Sequence, residues 1–216
     1  MLQNKFHKYL QTRLKETLPG RDSQKKLAPN PLSGKHSIRH YEPANDDFRN
    51  SSVLVPLIAW KNELEILLTL RTQDINHGGQ LSFPGGGKEG DETIFETALR
   101  EAQEEIGLHN SGVHISGTLT SLYVGHSDNM VTPVVAFLEE KQHFTPNPNE
   151  VDEIISVPLN ELIEERNLVY EDWDLRGTPC KVPFWNVHRV PLWGATAMMM
   201  SELIDLYQDF LQEVKK

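Results

Sequence analysis

The sequence is poor in cysteine, since its 216 residues include only Cys180. A single thiol cannot close a disulfide within the chain, so the fold does not depend on oxidation and a reducing, cytoplasmic compartment is expected. No paired base lies near Cys180 in the sequence, which favours a small packed residue over a nucleophile. The length suits one domain with an appended arm.

The sequence also lacks long apolar runs. No stretch approaches the roughly 18 apolar residues that a membrane-spanning helix needs, and the first 18 residues lack the apolar block of a secretory signal. A soluble protein with no membrane partner is therefore expected. Residues 1–18 instead predict an amphipathic helix, because apolar side chains recur at every fourth position: Leu2, Phe6, Leu10, Leu14 and Leu18. Such a helix favours docking on the domain or on the second subunit of a homodimer over an organelle-import peptide.

Basic residues are scarce in most of the chain. The first 50 residues hold 10 Lys and Arg against 5 Asp and Glu, whereas the remaining 166 hold 11 against 26. A nucleic-acid groove would need clustered Lys and Arg, so no nucleic-acid partner is expected. If the substrate is an anion, a divalent cation is the expected mediator.

The hydrophobic pattern divides the chain into an N-terminal helix and linker arm, residues 1–50, and a compact domain, residues 51–216. Strand patterns occupy 52–60, 64–70, 113–124, 130–138 and 150–157, and helical spacing occupies 92–107, 158–166 and 195–214. The glycine-rich segment 77–90 is interpreted as a loop. These elements predict an α/β fold in which a mixed sheet lies between helices.

Three acids share one face of the predicted helix 92–107. Glu101, Glu104 and Glu105 stand at i, i+3 and i+4. Glutamates alone are weak evidence, because exposed helices contain many. Here a glycine-rich segment precedes them, and the body of the chain is already acidic, which favours a site for Mg²⁺ or Mn²⁺ that handles a diphosphate. Zinc is disfavoured because the helix offers no histidine or cysteine at ligand spacing.

The same segment resembles the 23-residue box of the Nudix hydrolases. Gly86 is followed after five residues by Glu92, and after seven more by the run Arg100-Glu-Ala-Gln-Glu-Glu-Ile-Gly-Leu108. The resemblance implies an α/β/α sandwich in which Glu101, Glu104 and Glu105 bind the cations, with the Gly85 carbonyl as a further ligand. It also implies that Glu92 and Arg100 pair and hold the loop against the helix.

A second resemblance concerns the substrate. The segments Leu67-Leu-Thr-Leu-Arg71 and His77-Gly-Gly-Gln-Leu-Ser-Phe-Pro-Gly-Gly86 are similar to the motif that precedes the box in coenzyme A diphosphatases. This similarity implies hydrolysis of coenzyme A or its thioesters to 3′,5′-adenosine diphosphate and 4′-phosphopantetheine or its acylated form. Arg71 and His77 would meet phosphate oxygens, while Gln80 and Ser82 would bond the nucleotide or order the loop.

Two questions stay open at this point. The general base is Glu101 or an acid from another loop, of which Glu150 and Glu153 are the best placed in the sequence. The substrate is coenzyme A or another nucleoside diphosphate derivative such as ADP-ribose or NADH, because one metal site serves any diphosphate. A non-catalytic nucleotide sensor is the third reading, and it is disfavoured because no glutamate of the box is missing.

Overall fold

The computed structural model describes residues 2–34, 42–60, 63–73, 78–138 and 143–215. The helices in these ranges are α1 (Leu2–Arg13), α2 (Arg21–Lys26), α3 (Ile94–Ile106), α4 (Leu159–Ile163) and α5 (Gly194–Val214). The strands are β1 (Asn30–Pro31), β2 (Arg49–Trp60), β3 (Glu63–Arg71), β4 (Leu81–Ser82), β5 (Gly85–Gly87), β6 (Val113–Thr118), β7 (Leu122–Val124), β8 (Asn129–Leu138), β9 (Val151–Pro158), β10 (Leu168–Leu175) and β11 (Thr178–Trp185). None of the described helices is long and apolar enough to cross a bilayer.

A mixed sheet forms the centre of the fold. Its order is β4-β3-β2-β8-β6, while β5 pairs with β2, β7 with β8 and β9 with β3. β2 and β8 run parallel, and the other pairs in this sheet are antiparallel. A second sheet has the order β1-β11-β10. The predicted mixed α/β architecture is confirmed.

The two faces of the central sheet build separate cores because side chains alternate along each strand. On β2, Leu54 and Ile58 face α3 together with Leu67 of β3. Val55 and Leu57 point the other way, into a larger core that includes α5. This alternation fixes which side chains of β3 approach α3: Leu67, Thr69 and Arg71 lie on that face.

The glycine-rich segment is inserted into the sheet between β2 and β3. The two strands pair only where they meet at the hairpin, Leu57–Trp60 with Glu63–Ile66. Farther along, β5 pairs with residues 51–53 of β2, and β4 pairs with residues 69–70 of β3. The prediction of a loop without regular structure over 77–90 was therefore wrong. Its glycines permit close approach instead, since a Cβ on Gly85 would lie 2.5 Å from the Ser52 carbonyl oxygen.

Three other sequence predictions need correction. The single strand predicted over 113–124 is two strands, β6 and β7, because the chain leaves the ladder between them. The expected helix over 158–166 ends at Ile163 and continues as a 3₁₀ turn. The linker predicted before residue 50 contains α2 and β1, with Leu27 and Ala28 buried in the larger core.

The predicted amphipathic helix is present as α1 and docks on the domain, but it ends at Arg13 and not at residue 18 as expected. Phe6 and Leu10 are fully buried. The Phe6 ring lies 5.1 Å from that of Tyr207 and 5.0 Å from that of Phe210, both on α5. The domain division at residue 50 stays a prediction, although residues on both sides of it share one core.

A buried carboxylate also joins the N-terminal arm to the domain. Glu202 of α5 is fully buried. It accepts hydrogen bonds from the Gly20 amide at 2.8 Å, the Thr120 amide at 2.9 Å and the Thr120 hydroxyl at 2.8 Å. These three donors compensate the carboxylate for the loss of water. Because they come from Gly20 and Thr120, Glu202 joins the N-terminal arm to the connection between β6 and β7.

We expect Glu202→Ala to lower the free energy of unfolding by about 3 kcal/mol, because two buried amides would lose their acceptor. Denaturant unfolding measures this loss. Gln208→Ala is the matched control, since Gln208 is exposed on the same helix and its removal should leave stability unchanged. Equal stability of the two variants would contradict this role for Glu202.

Candidate active site

Helix α3 is held firmly at both ends. Thr93 and Glu96 form a capping box, in which the Glu96 amide donates to the Thr93 hydroxyl at 3.2 Å and the Thr93 amide donates to the Glu96 carboxylate at 2.7 Å. Gly107 ends the helix with a left-handed φ of 68°. Both ends lie within two residues of the helix predicted over 92–107. A rigid helix of this kind presents Glu101, Glu104 and Glu105 on one side.

Glu92 and Arg100 tie the segment before the helix to the helix itself. Arg100 Nε donates to Glu92 Oε1 at 2.7 Å, and Arg100 Nη2 donates to Glu92 Oε2 at 3.1 Å. Nη2 also donates to the Gly87 carbonyl at 2.9 Å. The hydrogen bond from Arg100, followed by that from the Glu89 amide, lowers the pKa of Glu92 to about 2. Glu92 therefore stays ionised and serves as a fixed anchor for Arg100.

Arg100 also contacts two acids of the helix. Its Nη1 lies 2.9 Å from Glu101 Oε1 and 3.3 Å from Glu104 Oε2. Burial raises the pKa of Glu101; Arg100 opposes this shift, while Glu104 and Glu150 add to it. A Cβ on Gly86 would lie 2.5 Å from the Glu101 carboxylate, so a larger residue there would displace that group from its position.

Glu105 is the most buried acid of the helix, with a side chain 2% exposed. Its Oε2 accepts a hydrogen bond from the Gly85 amide at 3.2 Å, and its Oε1 lies 3.3 Å from Arg71 Nη1. Burial raises the pKa of Glu105 to about 7, against the opposing effects of Arg71 and the Gly85 amide; Glu150 and Glu101 raise it further. A further cation beside this carboxylate would favour its charged form.

Glu150 comes close to these acids from another part of the chain. It lies just before β9, where the Thr72 amide donates to the Glu150 carbonyl at 3.0 Å. Its charge raises the pKa of both Glu101 and Glu105. We call the four residues Glu101, Glu104, Glu105 and Glu150 the glutamate cluster.

The two loop acids named as candidate bases are thus separated by the structure. Glu150 acts on the cluster, whereas Glu153 forms an ion pair with Arg189 at 2.5 Å and has one carboxylate oxygen 3.6 Å from His188 Nε2. Glu153 pairs with Leu70 in the β3–β9 ladder, so its side chain points to the face opposite α3. The strand alternation that brings Arg71 to the cluster directs Glu153 away from it.

The residues predicted upstream of the box lie beside the cluster where the structure describes them. Arg71 ends β3 and contacts Glu105, and its amide donates to the Gln80 carbonyl at 3.1 Å. The Ser82 hydroxyl lies 3.0 Å from that of Thr69, across the β3–β4 pair. This contact links the inserted segment to β3. His77 lies outside the described residues.

Over the described ranges, no three His, Cys, Asp or Glu side chains are gathered closely enough to hold a metal ion. Arginine explains the spacing, because Arg100 draws Glu101 and Glu104 toward itself while Arg71 contacts Glu105. The donor set nevertheless fits a hard divalent cation: it consists of carboxylate oxygens whose mutual repulsion a cation would relieve.

Sequence reasoning missed Asn147, which lies next to the cluster in the loop before β9. Its amide donates to the Glu105 carbonyl at 2.8 Å, and its side chain donates to Glu150 Oε1 at 3.3 Å. The only sequence signal is its place between Pro146 and Pro148, which restricts the backbone.

The site lies within the part of the chain that is similar to known proteins. The family model described as the NUDIX domain matches residues 49–176, a range that contains β2, the glycine-rich segment, α3 and Glu150. An uncharacterized Nudix hydrolase, NudL, of Photorhabdus laumondii is 35% identical over 166 residues, which cover 76% of this chain and 88% of that protein.

Two further proteins are similar to this chain, one over half of its sequence and the other in its fold. The mouse peroxisomal coenzyme A diphosphatase NUDT7 is 43% identical over 111 residues, covering 50% of this chain and 47% of the mouse protein. The crystal structure of a Caenorhabditis elegans Ap4A hydrolase binary complex matches with a TM-score of 0.50 at 16% identity, covering 76% of this chain and 98% of that one. The second likeness concerns the fold alone.

Proposed function

Since this chain belongs to the Nudix family of hydrolases, we propose that it cleaves the diphosphate of coenzyme A or its thioesters, with Mg²⁺ or Mn²⁺ at the glutamate cluster. Water adds to one phosphorus atom, and the bridging P–O bond breaks. Each product keeps one phosphoryl group of the diphosphate, giving 3′,5′-adenosine diphosphate and 4′-phosphopantetheine or its acylated form.

One observation carries the proposal: the segment that resembles coenzyme A diphosphatases is bonded directly to the buried acid of the box. Arg71, at the start of the resemblance, contacts one oxygen of Glu105. Gly85, near its end, donates its amide to the other. Substrate-recognition and cation-binding residues are therefore parts of one site. The 43% identity with the mouse coenzyme A diphosphatase supports the same substrate.

The chain's own residues have distinct tasks in this reaction. The Arg71 side chain is 20% exposed beside the cluster, and its planar guanidinium suits a phosphate oxygen pair. Gln80 and Ser82 either bond the nucleotide part of the substrate or order the loop that surrounds it. His77 is proposed as a second contact to the phosphate oxygens. Glu92 keeps Arg100 in place, and Arg100 fixes the directions of Glu101 and Glu104.

Nudix hydrolases generally use divalent metal ions. When bound, such an ion neutralises phosphate charge and makes water more acidic. Glu101, Glu104 and Glu105 would hold it, with the Gly85 carbonyl as a further ligand. Glu150 is our choice over Glu153 as the acceptor of the proton from water, because Glu150 acts electrostatically on Glu101 and Glu105 whereas Glu153 is paired with Arg189.

A substrate panel tests the proposal. Purified protein with Mg²⁺ or Mn²⁺ is incubated with coenzyme A, an acyl-coenzyme A, ADP-ribose and NADH, and the products are identified by mass. We expect kcat/KM for coenzyme A or its thioester to exceed that for the other two by about tenfold or more. Faster cleavage of ADP-ribose or NADH would contradict the substrate, and no cleavage of any compound would favour a sensor.

A further inference from the structure

We propose that Asn147 is a positioning residue that holds Glu150 against the acids of α3, and so sets the cation affinity of the cluster. This inference rests on the proposed cation site but not on the identity of the substrate. Glu105 and Glu150 lie 45 residues apart in the chain, yet both are hydrogen-bonded to Asn147.

The main chain of Asn147 fastens the loop to the end of α3. Its amide donates to the Glu105 carbonyl at 2.8 Å, one of the carbonyls that a helix end leaves without an internal partner. Its own carbonyl accepts from the Glu150 amide at 3.0 Å and from the Val151 amide at 2.8 Å. These main-chain hydrogen bonds alone hold the loop at a fixed distance from the helix.

The Asn147 side chain then orients Glu150. The Asn149 amide, which can only donate, lies 3.2 Å from Asn147 Oδ1, so the oxygen of the side chain must face it. The Nδ2 group is left to donate to Glu150 Oε1 at 3.3 Å. The network therefore assigns both ends of the amide without ambiguity.

The flanking residues reduce the freedom of this loop. Pro146 fixes its own φ, and Pro148 restricts the backbone of Asn147 to extended conformations. Glu150 needs such restraint, because Glu101 and Glu105 repel it and a free side chain would turn toward water. A neutral donor supplies the restraint without cancelling the negative charge that attracts a cation.

Mn²⁺ titration of the full chain, followed by electron paramagnetic resonance without substrate, tests this role. We expect Asn147→Ala to weaken Mn²⁺ binding about tenfold, the lower end of the effect of residues that support metal ligands. The variant keeps all three main-chain hydrogen bonds, so thermal unfolding should change little. Asn149→Ala is the matched control, because that exposed side chain has the same chemistry two residues away.

A double-mutant cycle separates positioning from a general loosening of the loop. In a Glu150→Ala background, Asn147→Ala should cause no further loss of Mn²⁺ affinity, because the group on which it acts is gone. In turnover, kcat should fall while KM stays close to its original value. Wild-type Mn²⁺ affinity in Asn147→Ala, or an undiminished loss in the Glu150→Ala background, would overturn the inference.

The outcome is independent of the substrate panel. If coenzyme A proves not to be the substrate while the Mn²⁺ cycle shows the expected coupling, the substrate assignment fails and the role of Asn147 stands. If coenzyme A is cleaved while the cycle shows no coupling, the reverse holds.

Discussion

Glu105→Gln is expected to lower kcat for diphosphate hydrolysis about a thousandfold, equivalent to about 4 kcal/mol in the activation free energy. The substitution keeps the size of the side chain and an oxygen able to accept from the Gly85 amide. It removes the negative charge that a buried site needs to hold a divalent cation. Steady-state turnover at saturating Mg²⁺ measures the loss.

Glu96→Gln is the matched control for this experiment. It makes the same change in charge on the same helix, and glutamine also satisfies a capping box. Its activity should stay within about twofold of the original, since no charge at the cluster changes. If Glu105→Gln retained the activity of this control, the buried glutamate would have no part in cation binding.

Phe6→Ala is expected to destabilise the protein by about 4 kcal/mol, because a fully buried aromatic side chain would be replaced by a cavity. A loss of this size lowers the melting temperature by roughly 10 °C for a domain of this length. The Phe6 ring meets Tyr207 and Phe210 of α5 as well as Phe137 of β8, so both the helix and the sheet lose contacts. Calorimetry or thermal circular dichroism measures the shift.

Phe95→Ala provides the comparison, since the Phe95 side chain is 38% exposed on α3 and leaves no closed cavity when it is shortened. Its melting temperature should fall by much less than that of Phe6→Ala. Similar melting temperatures for the two variants would show that α1 does not dock on the domain in solution.

Local patterns predicted the parts of the fold that depend on nearby residues. Helix α3 was predicted to within two residues at each end, since Thr93 and Gly107 are strong local signals for its two ends. The β2–β3 hairpin, β8, β9 and α5 were predicted from their apolar periodicity. The short strands β4 and β5 were missed, because only the separation of β2 and β3 provides them with pairing partners.

The hairpin of β10 and β11 was missed for a different reason. β10 alternates poorly, since Glu171, Asp172 and Asp174 are acidic and Glu171 and Asp172 are exposed next to each other. β11 contains Pro179 and Pro183, which argue against a strand in the sequence alone. Its pairing with β10 is a local hairpin, whereas its pairing with β1 is a long-range feature that no local signal reveals.

The same distinction applies to the candidate site. The spacing of Glu101, Glu104 and Glu105 along a helix is a local property, so their common face was predictable. The depth of burial of Glu105 was not, because it depends on the inserted glycine-rich segment above it. The choice between Glu150 and Glu153 required contacts that are distant in the sequence: the pairing of β9 with β3 directs Glu153 away from α3, whereas Glu150 precedes β9 and is bonded to Asn147.

The central claim is that the glutamate cluster holds the divalent cation. A crystal of the full chain grown or soaked with Mn²⁺, with anomalous diffraction data, tests it most directly. We expect an anomalous peak about 2.1 Å from carboxylate oxygens of Glu101, Glu104 and Glu105, the distance typical of oxygen ligands around Mg²⁺-sized ions. Glu101 and Glu104 should then have turned from Arg100 toward the ion. A peak elsewhere, with these carboxylates still bonded to the arginines, would contradict the account.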